Sequence, residues 1–266
     1  MIGSENLRIC LVQSELHWEN IDANLHHFSS MIMSITEPAD VLVLPEMFST
    51  GFSMNTAMAE EMNGKSMQWL REMAAQKNAV ICGSLMIQEE AQFFNRFIWM
   101  NPDGTYEFYN KRHCFRMASE HEHYQSGSEK TIIQFKGFKI CLMVCYDLRF
   151  PVWSRNRYRN NQFEYDVLLY TANWPERRSH AWKTLLPARA IENLSYVVAV
   201  NRVGNDGKDV AYSGDSAAYN MLGEKVTGLP THTECFETVS INKADIDSYR
   251  TQFPAFLDAD EFEISL

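Results

Sequence analysis

The stretch Lys139-Ile140-Cys141-Leu142-Met143-Val144-Cys145-Tyr146-Asp147-Leu148-Arg149-Phe150-Pro151 opens with an almost unbroken apolar run and closes in a polar turn ahead of a proline. A run this short and apolar reads as a strand, and its lack of polar alternation means that both faces are covered. Such sheets carry helical layers, which points to an α/β protein. The strand also delivers Cys145 to its carboxyl end, where open α/β sheets bind ligands.

Similar runs recur on either side. Residues 7–13, 41–44, 79–85, 93–100, 166–172 and 196–201 read as further strands. Helical spacing occupies 23–36, 65–77 and 180–193, the first entered from Asn20 or Asp22 and the last from Ser179. Asn101-Pro102-Asp103-Gly104 predicts a hairpin turn, and Asn205-Asp206-Gly207 and Leu222-Gly223-Glu224 are turns of the same kind. Pro187 falls inside the last helical pattern, where it removes a backbone bond and predicts a kink. With no Ser/Gly/Pro-rich linker and no internal repeat, residues 1–266 read as one domain.

Composition excludes several functions. A net charge of -10 argues against a nucleic-acid or anionic membrane surface, since either needs a basic patch. The nearest approach to one, Arg155-Asn156-Arg157-Tyr158-Arg159, reads as a solvated helix face. No apolar run nears the roughly 20 residues that span a bilayer, and the first residues lack a signal-peptide layout. The six cysteines are scattered, several within apolar runs, as expected of reduced, buried thiols in a cytoplasmic protein.

Taken alone, Cys145 reads as a small core residue, as most buried free cysteines are. Glu46 has the same address, because the run 41–44 passes through Pro45 straight into it. A carboxylate placed there is partly desolvated, which raises its pKa and suits it to accept a proton. The plainer alternative is a surface glutamate opening a loop. Lys111 follows the second arm of the hairpin, and its ammonium suits a developing oxyanion, although by itself it is indistinguishable from a surface charge. His121 and His123 share a face only on a strand and have no further ligands in view, so no metal site is expected. A Cys–His dyad through His113 or His180 has no local support.

Taken together, Leu44-Pro45-Glu46-Met47-Phe48, Tyr109-Asn110-Lys111-Arg112-His113 and Cys145-Tyr146-Asp147-Leu148-Arg149-Phe150-Pro151 resemble the base, lysine and nucleophile motifs of the nitrilase superfamily of carbon–nitrogen hydrolases. Their order fits, and so do the separations of 65 and 34 residues between the three key side chains. Ser49-Thr50-Gly51-Phe52, Arg116-Met117-Ala118-Ser119-Glu120-His121, Ala172-Asn173-Trp174-Pro175 and Tyr212-Ser213-Gly214-Asp215-Ser216 are similar to the bacterial omega-amidase branch, whose members cleave the distal amide of 2-oxoglutaramate and related 2-oxo acid amides. The resemblance implies a four-layer α-β-β-α sandwich, paired through a helical face into a homodimer or higher homo-oligomer. It also makes Glu120 the second glutamate beside the lysine. Pro187 departs from the pattern.

The chemistry then expected is that of a thiol-dependent amidohydrolase on a small-molecule amide, with no metal or organic cofactor. Free glutamate and free cysteine are mismatched as base and acid by about 6 kcal/mol, a gap narrowed by burying Glu46 and by setting Lys111 near the sulfur. Glu46 takes the thiol proton, Cys145 attacks, and Lys111 with the Tyr146 N–H holds the oxyanion. Glu120 assists the hydrolytic water. For the substrate's carboxylate, Arg116, Arg149 and Arg177 are the nearby cations, with Arg116 in the pocket and Arg149 structural; Trp174 and Phe52 would wall the pocket. Nitrilase, N-carbamoyl amide hydrolase and acyltransferase activities use the same three residues, and a non-catalytic interaction module is the rival outside enzymes.

Overall fold

The computed structural model describes residues 6–265. The first half runs β1 (Asn6–Gln13), α1 (Ile21–Ser34), β2 (Val41–Val43), α2 (Lys65–Lys77), β3 (Val80–Glu89), β4 (Gln92–Met100), β5 (Tyr106–Asn110) and α3 (Glu120–His123). Then come β6 (Ile132–Phe135), β7 (Phe138–Val144), α4 (Pro151–Ser154), β8 (Tyr158–Arg159), β9 (Gln162–Phe163), β10 (Val167–Ala172) and α5 (Ser179–Asn193). The chain closes with β11 (Tyr196–Asn201), β12 (Val203–Asn205), β13 (Ala211–Ser213), β14 (Ala217–Tyr219), β15 (Cys235–Asn242) and α6 (Lys243–Gln252).

Two sheets form the centre. One has the order β15-β1-β2-β3-β4-β5 and the other β14-β11-β10-β7-β6. Each is built on a parallel trio, β1-β2-β3 and β7-β10-β11, with antiparallel strands on the flanks. Alternation along the first sheet divides its side chains. Ile9, Leu11, Val41, Val43 and Trp99 enter a core shared with the second sheet, while Cys10, Val12, Leu42 and Ile81 pack with Leu25, Phe28, Met67 and Leu70 of α1 and α2. On the far side of the second sheet, Trp182, Leu186 and Ala190 of α5 close the stack. The sheets are therefore flanked by helices, as the covered strands required. Burying a large aliphatic side chain contributes about 1.5–3 kcal/mol, so this double-faced core accounts for the continuous apolar runs.

Local signals explain most boundaries. Asn20 caps α1 by accepting the Ala23 N–H at 3.0 Å, and Asn101 to Gly104 makes the turn between β4 and β5. Two expectations need correction. Ser179 is the first residue of α5 rather than its cap; the capping position is Arg178, whose side chain makes no capping bond. The expected loss of one backbone bond at Pro187 does not end this helix, which runs on to Asn193. The basic stretch 155–159 is not a helix face: Asn156 is buried between the Tyr165 and Asn193 carbonyls, and Tyr158–Arg159 forms a short strand.

Candidate active site

Strands β2, β5, β7 and β10 deliver their following residues to one rim. Glu46 comes just after β2, Lys111 directly after β5, Cys145 after β7 and Asn173 after β10. Thr171 Oγ1 donates to the Leu44 carbonyl at 2.6 Å, which clamps the two sheets together there. Gly83 makes room for the Glu46 segment, since a Cβ would stand 2.9 Å from Leu44 Cβ. Gly127 does the same beside Lys111, where a Cβ would meet the Asn110 carbonyl oxygen at 2.1 Å.

Cys145 has a positive φ of 45°, in the left-handed region, and begins the 3-10 turn Cys145–Arg149. A non-glycine residue there is strained and must be held by its surroundings. Asp147 does the holding. Its carboxylate accepts the Val144 N–H at 3.0 Å, the Tyr109 hydroxyl at 2.8 Å and the His113 N–H at 3.0 Å, tying the cysteine turn to the lysine segment. From the helix side, Arg189 donates to the Leu148 carbonyl at 2.7 Å. The Tyr146 N–H lies in the first turn of this segment, where backbone donors have no partner within the turn.

Glu46, Lys111 and Glu120 form one buried cluster, each at most 1% exposed. Lys111 Nζ is 2.8 Å from Glu46 Oε1 and 2.9 Å from Glu120 Oε2. Asn95 Nδ2 donates to both carboxylates, at 2.7 Å to Glu46 and 3.1 Å to Glu120. Glu46 Oε2 accepts the Asn173 N–H at 2.7 Å, and Glu120 also accepts the Phe115 N–H. Burying an ion costs several kcal/mol unless it is fully bonded, and these donors supply the bonds. Burial opposes the Lys111 charge, but Glu120 and Glu46 outweigh it and hold its pKa well above the usual lysine value. Burial raises Glu120 despite Lys111. The Cys145 thiol is pushed well up by burial and by the Glu46 charge, with Lys111 pulling the other way. A thiol in this setting rests protonated, and a base must take its proton before it can attack.

Cys145 opens into a cavity of about 100 Å³. Phe52, Tyr146, Trp174 and Phe115 supply aromatic wall, and Arg149, Arg177 and Arg178 line it with guanidinium groups. Of the cations expected at the substrate, Arg116 does not belong: its side chain is exposed and outside the lining, because Arg116–Ala118 turns it toward solvent. Arg149, expected to be structural, instead lines the cavity, with its guanidinium 5.0 Å from the Trp174 ring centre. Arg178 escaped the sequence reading; its Nη1 is buried without a partner among the described residues. His113 is bound through Nδ1 to Asp147 at 2.7 Å, and His180 is exposed on α5. His121 and His123 lie on the single turn of α3 and diverge.

Sequence reasoning also passed over Asn95 and Asn173. A polar residue inside the aromatic strand 93–100 was the signal for Asn95, and the strand-end address used for Glu46 and Cys145 applied equally to Asn173.

The chain is similar to known proteins over nearly its whole length. Residues 8–251 match the family described as carbon-nitrogen hydrolase. The chain is 45% identical over 258 residues to the omega-amidase YafV of Escherichia coli K12, covering 97% of this chain and 98% of that protein. It is 29% identical to the 2-oxoglutaramate amidase of Bacillus subtilis, over 94% of this chain and 96% of that one. A solved structure from Xanthomonas campestris, a CN-hydrolase superfamily protein with an arsenic adduct in its active site, superposes with a TM-score of 0.95 at 42% identity, covering 98% and 99% of the two chains.

Proposed function

This chain belongs to the carbon–nitrogen hydrolase family, and from that premise we propose that it is an omega-amidase, cleaving the distal amide of a small 2-oxo acid amide to a carboxylate and ammonia. The observation that carries the reading is the bonded Glu46–Lys111–Glu120 cluster set against the Cys145 thiol in a cavity lined by three guanidinium groups. The cluster suits a reaction that moves one proton twice, and the guanidinium groups suit a substrate that carries a carboxylate away from its amide.

In this mechanism Glu46 takes the thiol proton as the Cys145 sulfur bonds to the amide carbon, and the carbonyl electron pair moves onto oxygen. Lys111 Nζ and the Tyr146 N–H hold that oxyanion. The C–N bond breaks as the oxyanion collapses; Glu46 gives its proton to the nitrogen, and ammonia leaves a thioester on Cys145. Glu46 then deprotonates a water, with Glu120 orienting it. Attack on the thioester releases the acid and restores the thiol. Phe52 and Trp174 wall the substrate, and residues 1–266 act as one catalytic unit.

The same proposal pairs two copies through the α4–α5 face, where Val152 and Ile191 are exposed. Free cysteines suit a reducing cytoplasm, and no helix among the described residues is long and apolar enough to cross a membrane.

Ammonia release from 2-oxoglutaramate, succinamate, glutamine, a simple nitrile and an N-carbamoyl amino acid tests the reading. The expected order places 2-oxoglutaramate first, with turnover abolished in Cys145→Ala. Preference for the nitrile or the carbamoyl compound would overturn the substrate assignment, and full turnover in Cys145→Ala would overturn the nucleophile.

A further inference from the structure

We propose that Asn173 grips the scissile amide by its nitrogen: its carboxamide oxygen accepts one substrate N–H and turns the leaving nitrogen toward Glu46. The inference rests on the amidohydrolase reading above and adds to it the residue that distinguishes an amide from other acyl donors.

Asn173 brackets Glu46. Its backbone N–H donates to Glu46 Oε2 at 2.7 Å, and its side-chain Nδ2 donates to the Glu46 carbonyl oxygen at 2.6 Å. A carbonyl only accepts, so the second bond fixes which end of the carboxamide faces Glu46. The other end, Oδ1, is buried without a partner among the described residues. The residue is 4% exposed, yet it lines the cavity that contains Cys145. Asn95 Oδ1 is also buried without a partner among the described residues, but Asn95 does not line the cavity. A buried acceptor left unpaired on a residue of the cavity lining is available to a donor from whatever enters.

The substrate's geometry supplies that donor. A primary amide is planar, with its oxygen on one side of the carbon and two N–H groups on the other. Once the oxygen faces Lys111 and the Tyr146 N–H, the nitrogen faces away from them. It must still reach Glu46 to collect a proton before leaving, and Asn173 is tied to Glu46 through its backbone N–H and its Nδ2. A bond from one N–H to Asn173 Oδ1 fixes the rotation of the nitrogen while the C–N bond breaks. An ester presents an alkoxy oxygen at the same point, and a nitrile presents a bare nitrogen. Neither has an N–H to give.

The experiment compares hydrolysis of 2-oxoglutaramate with that of the 5-methyl ester of 2-oxoglutarate, which share one Cys145 thioester. In Asn173→Ala we expect kcat/KM for the amide to fall 10- to 100-fold and the loss on the ester to be at least tenfold smaller. Equal losses would reduce Asn173 to a support for Glu46 and overturn the proposal. If the alanine variant does not fold, a crystal structure of Cys145→Ala with the bound amide decides: the nitrogen should lie within about 3.2 Å of Oδ1. A water or nothing at that oxygen overturns the assignment. A wild-type enzyme inert to amide and ester alike would fail the amidohydrolase reading itself, an outcome distinct from equal losses in the variant.

Discussion

Lys111 Nζ lies 2.8 Å from Glu46 Oε1, and both side chains are cut off from solvent. The pair is completed by Glu120 on the other side of the ammonium, so one cation answers two buried carboxylates. Removing Lys111 leaves those carboxylates facing each other with only neutral donors. We expect Lys111→Met to lose turnover by at least a thousandfold and to lower stability by about 3–5 kcal/mol, the range for an orphaned buried charge. Denaturant melts and single-turnover kinetics check both parts. A variant as stable as wild type would show that the cluster takes up a proton instead.

Arg178 lines the cavity and its buried Nη1 has no partner among the described residues, and charge-assisted bonds contribute about 1.5–3 kcal/mol. Arg178→Met should therefore raise KM for 2-oxoglutaramate about 10- to 100-fold while leaving kcat/KM for a neutral amide such as propionamide within about threefold. Parallel variants Arg149→Met and Arg177→Met rank the three guanidinium groups. A larger effect at either of those positions would transfer the anchoring role.

Burial and the Glu46 charge both raise the Cys145 pKa. Alkylation of the resting enzyme by iodoacetamide should accordingly climb with pH through 7 to 9 rather than reach a plateau by pH 7. Glu46→Gln removes one of the raising charges and leaves Lys111 in place, so the same thiol should ionise at lower pH even as amide turnover disappears. A thiol less ionised in the glutamine variant would contradict the charge assignment.

Asp40 immediately precedes β2, at the end of that strand opposite Glu46. Burial alone would raise its pKa, but bonds from Arg8 and Lys136 bring it down to about 2. Asp166 is likewise lowered, with bonds from Lys243 and the Lys139 N–H and the Arg250 charge overcoming burial. A depressed carboxylate stabilises the fold above its unfolded pKa, and that contribution is lost as pH falls through the folded value. Stability should thus drop between about pH 4 and pH 2, with a shallower acid limb in Asp40→Asn by urea melts. Glu120 has the opposite sign, since its raised pKa gives a contribution present in acid and lost as pH rises through the folded value. An unchanged acid limb in Asp40→Asn would rule out its part.

The sequence by itself determined the elements that carry the site. Apolar runs ending at Leu44, Val144 and Ala172 identified buried strands, and the order of Glu46, Lys111 and Cys145 matched one family of hydrolases. These features were legible because periodicity and strand ends are local properties, fixed by a few neighbouring residues. The tertiary structure alone decided which polar groups meet. Arg149 lines the cavity and Arg116 faces solvent, against expectation, because the facing of a side chain in a 3-10 turn depends on what packs over that turn. Asn95, from an edge-side strand, and Asn173, from the opposite sheet, reach the same carboxylate across 78 residues of sequence. Their meeting follows from the stacking of two sheets about a shared core, and no spacing along a single chain segment encodes it.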